Sequence, residues 1–461
     1  MRRICVLLFC LALPAAAQQI DWNRVNEEAL RHYQALVQID STISEAGVAD
    51  YVKKVLEAEG IAVTIVAKDP AHPNLIARLK GNGSKKPLLI MGHSDTVKID
   101  PSKWTFPPFS AARDGGYIYG RGTLDDKSDL FAALMTTVLL KRTGAKLDRD
   151  IIFVSEAGEE SNTAVGIDYL TTEHWPEIDA EACLAESGGV QRRGGMARFA
   201  SVQTAEKHPA GAMLVSKGPS GHASRPLRGN AVAHLAAAVE KIAAWDPPMR
   251  LNDTTRTYFE KLGPLSDPAD AVRLHNLLDP KKSAAVREYL AINEPNFYSM
   301  LHTSISPTII QGGFQVNVIP SEATATLDIR ALPDENMPAF YDMMRKIIND
   351  PSVELVPSTA NARPLAPAAS ITSDVYKAIE ASYRTVYNVP TLPMMQTGAT
   401  DMAFLRAKGM QCYGIGAMTD VEDGPKGFGA HSDQERILEE AAYKHLQFMW
   451  TAVTSIAGAK F

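Results

Sequence analysis

The sequence feature that most constrains the fold is a set of short apolar segments that end abruptly in histidine or acidic residues. The segment 88–91 is followed by His93, and the segment 151–155 is followed by the Glu159-Glu160 pair. Short apolar runs are typical of strands buried inside a sheet, and ligands collect beyond the carboxyl ends of such strands. The pattern therefore predicts an α/β sheet with chemically active side chains along one edge.

The order of helical and strand patterns divides the chain into two units. Helical and strand patterns alternate from about residue 21 to 212 and again after residue 332, which predicts an α/β catalytic domain in two parts, 18–210 and 333–461. A strand pattern near 212–215, an Ala-rich helix and an alternating strand at 323–330 predict a smaller domain inserted over 211–332.

The N-terminal residues have the three parts of a secretory signal. Two arginines are followed by an apolar run over 4–13 and a small-residue exit at Ala15–Ala17. This order predicts a signal peptide over residues 1–17 and a secreted or periplasmic protein, with a buried N-terminal helix as the alternative. The run is too short to span a bilayer, and no later segment approaches that length, so no membrane association is expected.

The net charge argues against one class of partner, and the cysteine content leaves one possible disulfide open. The net charge is −6 and the basic residues are scattered, so nucleic acid is not an expected partner. After cleavage of the signal, the mature chain would keep Cys183 and Cys412. The sequence leaves open whether they form a disulfide.

Further candidate metal ligands follow the first strands. Asp125 ends a Gly-rich turn before an apolar helix, Glu186 ends another apolar strand, and His431 precedes the last helix. A helix cap is the ordinary alternative for Asp125, and a solvated loop is the alternative for the glutamate pair. Together with His93 and that pair, these residues are a plausible ligand set for two divalent ions that share one carboxylate.

These motifs resemble the dinuclear zinc metallopeptidase family that includes aminoacylase, glutamate carboxypeptidase, carboxypeptidase S, acetylornithine deacetylase and succinyl-diaminopimelate desuccinylase. The resemblance spans nearly all of the mature chain. It implies a zinc-peptidase-type catalytic domain with a mixed sheet, interrupted by an α+β, ferredoxin-like lid or dimerisation domain. It thus allows a homodimer through the inserted domain.

The resemblance also implies a role for each candidate residue of the centre. Glu159 would be the general base, and Asp95 would orient the imidazole of His93. Asp125 would bridge both metals. The implied metal ligands are His93, Asp125, Glu160, Glu186 and His431.

Outside the centre, the resemblance implies a substrate site. His222, in the loop 218–224, would donate a hydrogen bond to the oxyanion. Asn317 and Arg330 would hold a substrate carboxylate, a task that suits a guanidinium fork. Gly398 and Thr400 would belong to a substrate-side loop.

The chain departs from the family pattern in two places. Met402 and Ala403 stand just after Thr-Asp, where family members often carry a charged residue, so this side of the pocket is expected to be less polar. A charged, helical stretch at 251–301 is expected to enlarge the inserted domain, which weakens any transfer of dimer geometry.

The predicted function is metal-dependent hydrolysis of an amide bond next to a free carboxylate. The cofactor would be zinc, two ions per chain, although the ligand mix also suits cobalt or manganese. The sequence leaves two alternatives open. The enzyme is either a dipeptidase or carboxypeptidase that acts on small peptides, or a deacylase of N-acyl amino acids. A binding protein that kept the fold and lost catalysis is disfavoured because the ligand set and the base are complete. Serine-hydrolase and mononuclear metalloprotease motifs are absent.

Overall fold

The computed structural model describes residues 20–358 and 363–461. The predicted signal peptide over 1–17 lies outside these residues. Among the helices of the described part, none is both long enough and apolar enough to cross a bilayer.

The first part of the chain alternates helices and strands, as its hydrophobic pattern predicts. Its helices are α1 (Trp22–Val37), α2 (Ala46–Ala58), α3 (Lys127–Thr143), α4 (Ile167–Glu173) and α5 (Trp175–Ile178). Its strands are β1 (Val63–Val66), β2 (Asn74–Leu79), β3 (Leu88–His93), β4 (Ala112–Asp114), β5 (Tyr117–Tyr119), β6 (Ile151–Glu156), β7 (Ala182–Ala185), β8 (Gly189–Arg193) and β9 (Met196–Glu206).

The middle part contains a second group of strands and most of the remaining helices. Its strands are β10 (His208–Pro209), β11 (Ala212–Lys217), β12 (Gly221–His222), β13 (Ser304–Gly312), β14 (Val318–Ile319), β15 (Glu322–Ala331) and β16 (Val353–Pro357). Its helices are α6 (Ala231–Ala243), α7 (Asp253–Leu262), α8 (Pro268–Leu277), α9 (Ser283–Asn293), α10 (Pro295–Ser299) and α11 (Met337–Ile348).

The last part returns to the first unit and completes its sheet. It contains α12 (Asp374–Tyr387), β17 (Thr391–Gln396), α13 (Met402–Ala407), β18 (Gln411–Gly414), β19 (Thr419–Asp420), β20 (Arg436–Leu438) and α14 (Glu439–Ile456). A mixed sheet of ten strands results, in the order β1-β2-β6-β3-β7-β18-β9-β8-β19 with β17 beside β9. The predicted mixed-sheet α/β fold is confirmed.

The centre of this sheet is parallel and fully buried. Strand β3 lies between β6 and β7, parallel to both, and His93 pairs with Glu156 at the end of the register. Every residue of β3 and β6 is buried because helices cover both faces. Helix α3 is buried almost throughout and ends at Gly144, whose φ of 62° is the left-handed conformation that glycine adopts at helix ends. Parallel central strands place the ends of β3, β6 and β7 at one edge.

The second unit is a separate antiparallel sheet covered by two helices. It has five strands, in the order β13-β15-β11-β16 with the short β10 also paired with β15. The chain order β11-α6-β13-β15-α11-β16 is a ferredoxin-like β-α-β-β-α-β arrangement. Along β15 every second residue is buried, as expected for a sheet with one covered face. Phe340, Met344 and Ile348 of α11 are buried in the same core. The unit therefore extends to Pro357, beyond the boundary predicted at 332.

Helices α7 to α10 pack against the first unit, which corrects the expectation that the stretch 251–301 enlarges the inserted domain. Tyr258 and Phe259 of α7 share a buried core with Phe199 of β9 and with Leu392 and Met395 of β17. Strand β17 pairs with β9, and its residues are buried or half-buried beneath these helices. The stretch thus extends the core of the catalytic unit.

The two cysteines of the described residues lie opposite each other. Cys183 on β7 and Cys412 on β18 are paired across parallel strands. Both are buried and both are free thiols in this structure.

Candidate metal centre

The candidate ligands from distant parts of the chain meet at the carboxyl edge of the parallel strands. Asp125 lies at the middle of the group. Its Oδ1 is 2.9 Å from His93 Nε2, and its Oδ2 is 3.1 Å from His431 Nε2. Each oxygen of one carboxylate therefore faces a different histidine, which is the arrangement that a bridging ligand requires.

The remaining carboxylates complete two groups around Asp125. Glu160 Oε1 is 2.7 Å from His431 Nε2, and Glu186 Oε2 is 3.9 Å from His93 Nε2. His93, Asp125 and Glu186 form one group, and Asp125, Glu160 and His431 form the other, each with its ligand atoms within 4.8 Å of one another. The structure thus brings together all five predicted ligands as two triads with one shared member.

The electrostatics of the centre favour added positive charge. Hydrogen bonds with Asp125 and Glu160 raise the pKa of His431 to about 10. Burial alone would raise the pKa of Asp125, but hydrogen bonds from His431 and His93 outweigh it and lower that pKa. Oxygen and imidazole donors are those that zinc, cobalt and manganese accept. The residues present therefore fit two divalent ions, with one histidine for each.

Glu159 lies beside the two triads and is nearly enclosed. Its ligand atoms group with those of His93 and Glu160. Burial, and then the nearby Asp401, raise the pKa of Glu159 to about 8, while His93 and Arg363 act in the opposite direction. A carboxylate with a pKa close to neutral pH suits proton transfer. Glu159 therefore lies beside both triads in surroundings that favour its protonated form.

Asp95 fixes the turn that carries Glu159 and Glu160. Its Oδ1 accepts a hydrogen bond from the Glu159 amide at 3.1 Å, and its Oδ2 accepts one from the Glu160 amide at 3.0 Å. His93 Nδ1 lies 3.1 Å from the Asp95 backbone oxygen and 3.3 Å from Oδ1. One aspartate therefore contacts both the ring of His93 and the backbone of the acidic turn.

A buried ion pair joins the loop of Asp125 to the loop of His431. Arg121 Nη1 donates to Glu435 Oε2 at 2.6 Å across 314 residues of sequence, and Arg121 Nη2 donates to the Ser432 backbone oxygen. Glu435 Oε1 also accepts hydrogen bonds from the amides of Leu124 and Asp125. Neither Arg121 nor Glu435 was predicted as a site residue. Glu435 lies directly before β20, and no local sequence pattern indicates that it pairs with an arginine 314 positions away.

The predicted oxyanion donor lies in the second unit. His222 is exposed on β12, which pairs with β14, and Ala223 donates to the Asn317 backbone oxygen at 3.0 Å. His222 Nδ1 accepts a hydrogen bond from the Ser224 amide, so in the neutral ring Nε2 carries the proton. His222 and Asn317 are brought near each other, but no hydrogen bond or ion pair joins either to the centre within the described ranges.

The other predicted substrate residues have different surroundings. Arg330 on β15 is paired with Asp328 through Nε and Nη2 at 2.8 and 3.1 Å. Thr400 is buried, and its amide and hydroxyl donate to Glu206. Gly398 is half-buried beside it. The Thr400 hydroxyl is thus engaged in a buried network.

A cavity of about 420 Å³ opens beside the centre. Asp125 and Glu186 line one end, and Tyr117, Arg192 and Met418 line other parts of the wall. Arg192 is neutralised by Asp420, which also accepts a hydrogen bond from the Tyr117 hydroxyl. The volume is in the range of small-molecule sites, with apolar walls and a few polar groups.

Comparisons with known proteins identify relatives over most of the chain. The profile of "Peptidase family M20/M25/M40" matches residues 89–455. A "probable carboxypeptidase S-like 2" of Dictyostelium discoideum is 30% identical over 349 residues, which are 71% of this chain and 64% of that protein. The human "N-fatty-acyl-amino acid synthase/hydrolase PM20D1" is 27% identical over 332 residues, 70% of this chain and 64% of that protein. The matches thus span less than two thirds of the length of these relatives.

Solved structures share the fold over nearly the whole chain. The M20 family metallo-carboxypeptidase Sso-CP2 from Sulfolobus solfataricus superposes with a TM-score of 0.67 at 21% identity, covering 93% of this chain and 99% of that chain. The YXEP protein of Bacillus subtilis, described as a dinuclear metal-binding peptidase, gives a TM-score of 0.62 at 14% identity, covering 95% of this chain and 99% of that chain. At these identities the likeness establishes the fold.

Proposed function

The chain belongs to peptidase family M20/M25/M40, and from this membership we propose that it hydrolyses the amide bond next to a free carboxylate in small peptides, as a dipeptidase or carboxypeptidase. The observation that carries the proposal is the pair of ligand triads that share Asp125. A shared carboxylate between two histidines is suited to two adjacent divalent ions. Zinc is the proposed metal.

Two ions at this centre would lower the pKa of water and polarise the scissile carbonyl. Glu159 would accept a proton from the attacking water and later donate it to the leaving amine. Asp95 supports this step because it holds the amides of Glu159 and Glu160. The near-complete burial of Glu159 keeps bulk water from competing for that proton.

The second unit would supply the groups that recognise the substrate. His222, with its proton on Nε2, is able to donate a hydrogen bond to the developing oxyanion. Arg330 and Asn317 belong to the same unit. Arg330 Nε and Nη2 donate to Asp328, so a substrate carboxylate would bind at Nη1 or replace Asp328. This part of the proposal requires the two units to approach when substrate binds.

Hydrolysis of N-acyl amino acids is a second candidate because one relative is named an N-fatty-acyl-amino acid synthase/hydrolase. The two candidates share their chemistry, since a carboxypeptidase and an N-acyl-amino-acid hydrolase both cut an amide bond next to a carboxylate. They differ in the group on the far side of that bond. The cavity of about 420 Å³ is large enough for a peptide residue or an acyl group.

A substrate panel tests the proposal and separates the two candidates. The zinc-loaded protein is incubated with dipeptides, N-acetyl amino acids and long-chain N-acyl amino acids, each with and without a chelator. Glu159→Gln is the matched control, since it keeps the shape of the side chain and removes the base. Release that depends on both zinc and Glu159 supports the proposal, and no such release from any member of the panel contradicts it.

Export from the cytoplasm is proposed on sequence grounds only. The signal-like residues 1–17 have the charged start, apolar run and small-residue exit of a cleaved signal. N-terminal sequencing of the protein from a fractionated secreting host tests this. A mature protein that begins near Gln18 outside the cytoplasm supports export, and an uncleaved cytoplasmic protein contradicts it.

A homodimer through the second unit is proposed from its exposed edge. Among the strands of residues 20–358 and 363–461, β13 pairs only with β15, and Ile309 and Ile310 on it are 52% and 63% exposed. Phe314 and Val316 follow it and are 84% and 100% exposed. Open apolar edge strands readily pair with a second chain. Light scattering of the wild type and of Ile310→Lys tests this, and a monomeric wild type at all concentrations contradicts it.

A further inference from the structure

A partly buried arginine in the segment that returns from the second unit to the first reaches the proposed base. After β16, the chain returns to the first unit through Arg363, which is only 15% exposed. Arg363 Nη2 donates to Glu159 Oε1 at 3.1 Å, and Arg363 Nη1 donates to Asp401 Oδ1 at 2.9 Å. The guanidinium thus bridges the turn after β6 and the start of α13.

Arg363 is held from several sides, so the bridge is a built feature. Arg363 lines one small cavity together with Ala403 and with Lys207 and His208, which follow β9 where the chain leaves the first unit. The Ala369 amide donates a hydrogen bond to the Thr204 backbone oxygen at 2.7 Å, which joins the returning segment to β9.

Arg363 is a positive charge among the acidic residues that surround Glu159. Glu159 is surrounded by Asp401, Glu160 and Glu186. Arg406, a buried arginine nearby, forms an ion pair with Glu206 at an N–O distance of 2.9 Å. Within residues 20–358 and 363–461, Arg363 is the lysine or arginine that forms an ion pair with Glu159.

A bridge of this kind restricts how the carboxylate can turn. Hydrogen bonds between a guanidinium and a carboxylate are strong and directional, and the second arm on Asp401 prevents the arginine from following a rotation of Glu159. With Oε1 held by Arg363, Oε2 is the oxygen left for a water molecule. We propose that Arg363 is a positioning residue that holds Glu159 in the orientation required for proton transfer. The inference rests on the proposed function.

The test compares Arg363→Ala and Arg363→Lys with the wild type on a substrate found in the panel. Misplacing a catalytic group by about 1 Å can cost about a hundredfold in rate, so Arg363→Ala should lower kcat by about 10- to 100-fold with KM and zinc content unchanged. Arg363→Lys keeps the positive charge but lacks the guanidinium fork, so its kcat should lie between those of Arg363→Ala and the wild type. Added guanidinium ion at low concentration should restore part of the activity of Arg363→Ala.

The matched control is Arg78→Ala. Arg78 lies on β2, is half-buried and forms an ion pair with Asp150. This substitution should leave kcat unchanged, and zinc titration and circular dichroism confirm that each variant is folded and loaded. The inference is overturned if Arg363→Ala keeps kcat within about twofold of wild type, or if its loss is accounted for by KM or by zinc content. A wild type inactive on the whole panel instead overturns the proposed function.

Discussion

Replacing Glu435 with alanine should destabilise the metal-free protein and weaken its zinc affinity together. The Arg121–Glu435 pair is almost completely buried, with side chains 2% and 0% exposed. Removing one partner of a buried pair leaves an uncompensated charge, which costs about 3–5 kcal/mol. The amides of Leu124 and Asp125 also lose their acceptor. The free energy of unfolding of the first unit should therefore decrease by about 3–5 kcal/mol.

Zinc affinity should fall because the pair joins the two loops that carry Asp125 and His431. Both ligand triads contain Asp125, so freeing its loop disturbs both at once. The free energy of unfolding is measured by urea denaturation with a chelator present, and zinc affinity is measured by competition with a coloured chelator. Both quantities should change in the same variant.

Two controls separate this explanation from a general loss of stability. Glu57→Ala removes an exposed helical ion pair with Lys53 and should change the free energy of unfolding by less than about 0.5 kcal/mol. The double variant Arg121→Met/Glu435→Leu leaves no unpaired charge, so it should be more stable than Glu435→Ala and still bind zinc weakly. Wild-type stability and zinc affinity in Glu435→Ala would refute the reasoning.

Three further predictions concern the metal centre and His222 of the second unit. Glu159→Gln should lower turnover by about a hundredfold or more with zinc content unchanged; normal turnover would contradict the role of the base. Because the pKa of His431 is about 10 in the metal-free protein, its ring is protonated below that pH and zinc must displace the proton. Zinc affinity should therefore increase with pH, with proton release visible by calorimetry in two buffers; a pH-independent affinity would contradict this. His222→Ala should lower kcat by about 100- to 1,000-fold, whereas His234→Ala, on the same unit and paired with Asp350, should have little effect.

Much of the first unit could be predicted from local pattern. Apolar runs at 88–91 and 151–155 correspond to β3 and β6, and the apolar helix predicted after Asp125 corresponds to α3. These predictions succeed because burial on both faces demands continuous apolar residues, a requirement that is visible within a few positions. The edge at which the ligands gather followed from the parallel direction of the central strands.

The packing partners of the helices could not be predicted in the same way. An amphipathic pattern shows that α11 and α7 each bury one face, but it does not show which surface covers it. The structure places α11 on the second sheet and α7 on β17 of the first. The predicted boundary at 332 and the assignment of 251–301 to the inserted domain differ from the structure for this reason.

The sequence by itself identified the candidate ligands His93, Asp125, Glu160, Glu186 and His431. That information is local, because each of them lies in a short motif next to a predicted strand or helix, and these motifs resemble those of a known family. Only the tertiary structure decided that each oxygen of Asp125 faces a different histidine. Only it revealed that Glu435 joins the two loops and that Arg363 reaches Glu159. Contacts between residues hundreds of positions apart depend on how whole elements pack, and no local pattern encodes that packing.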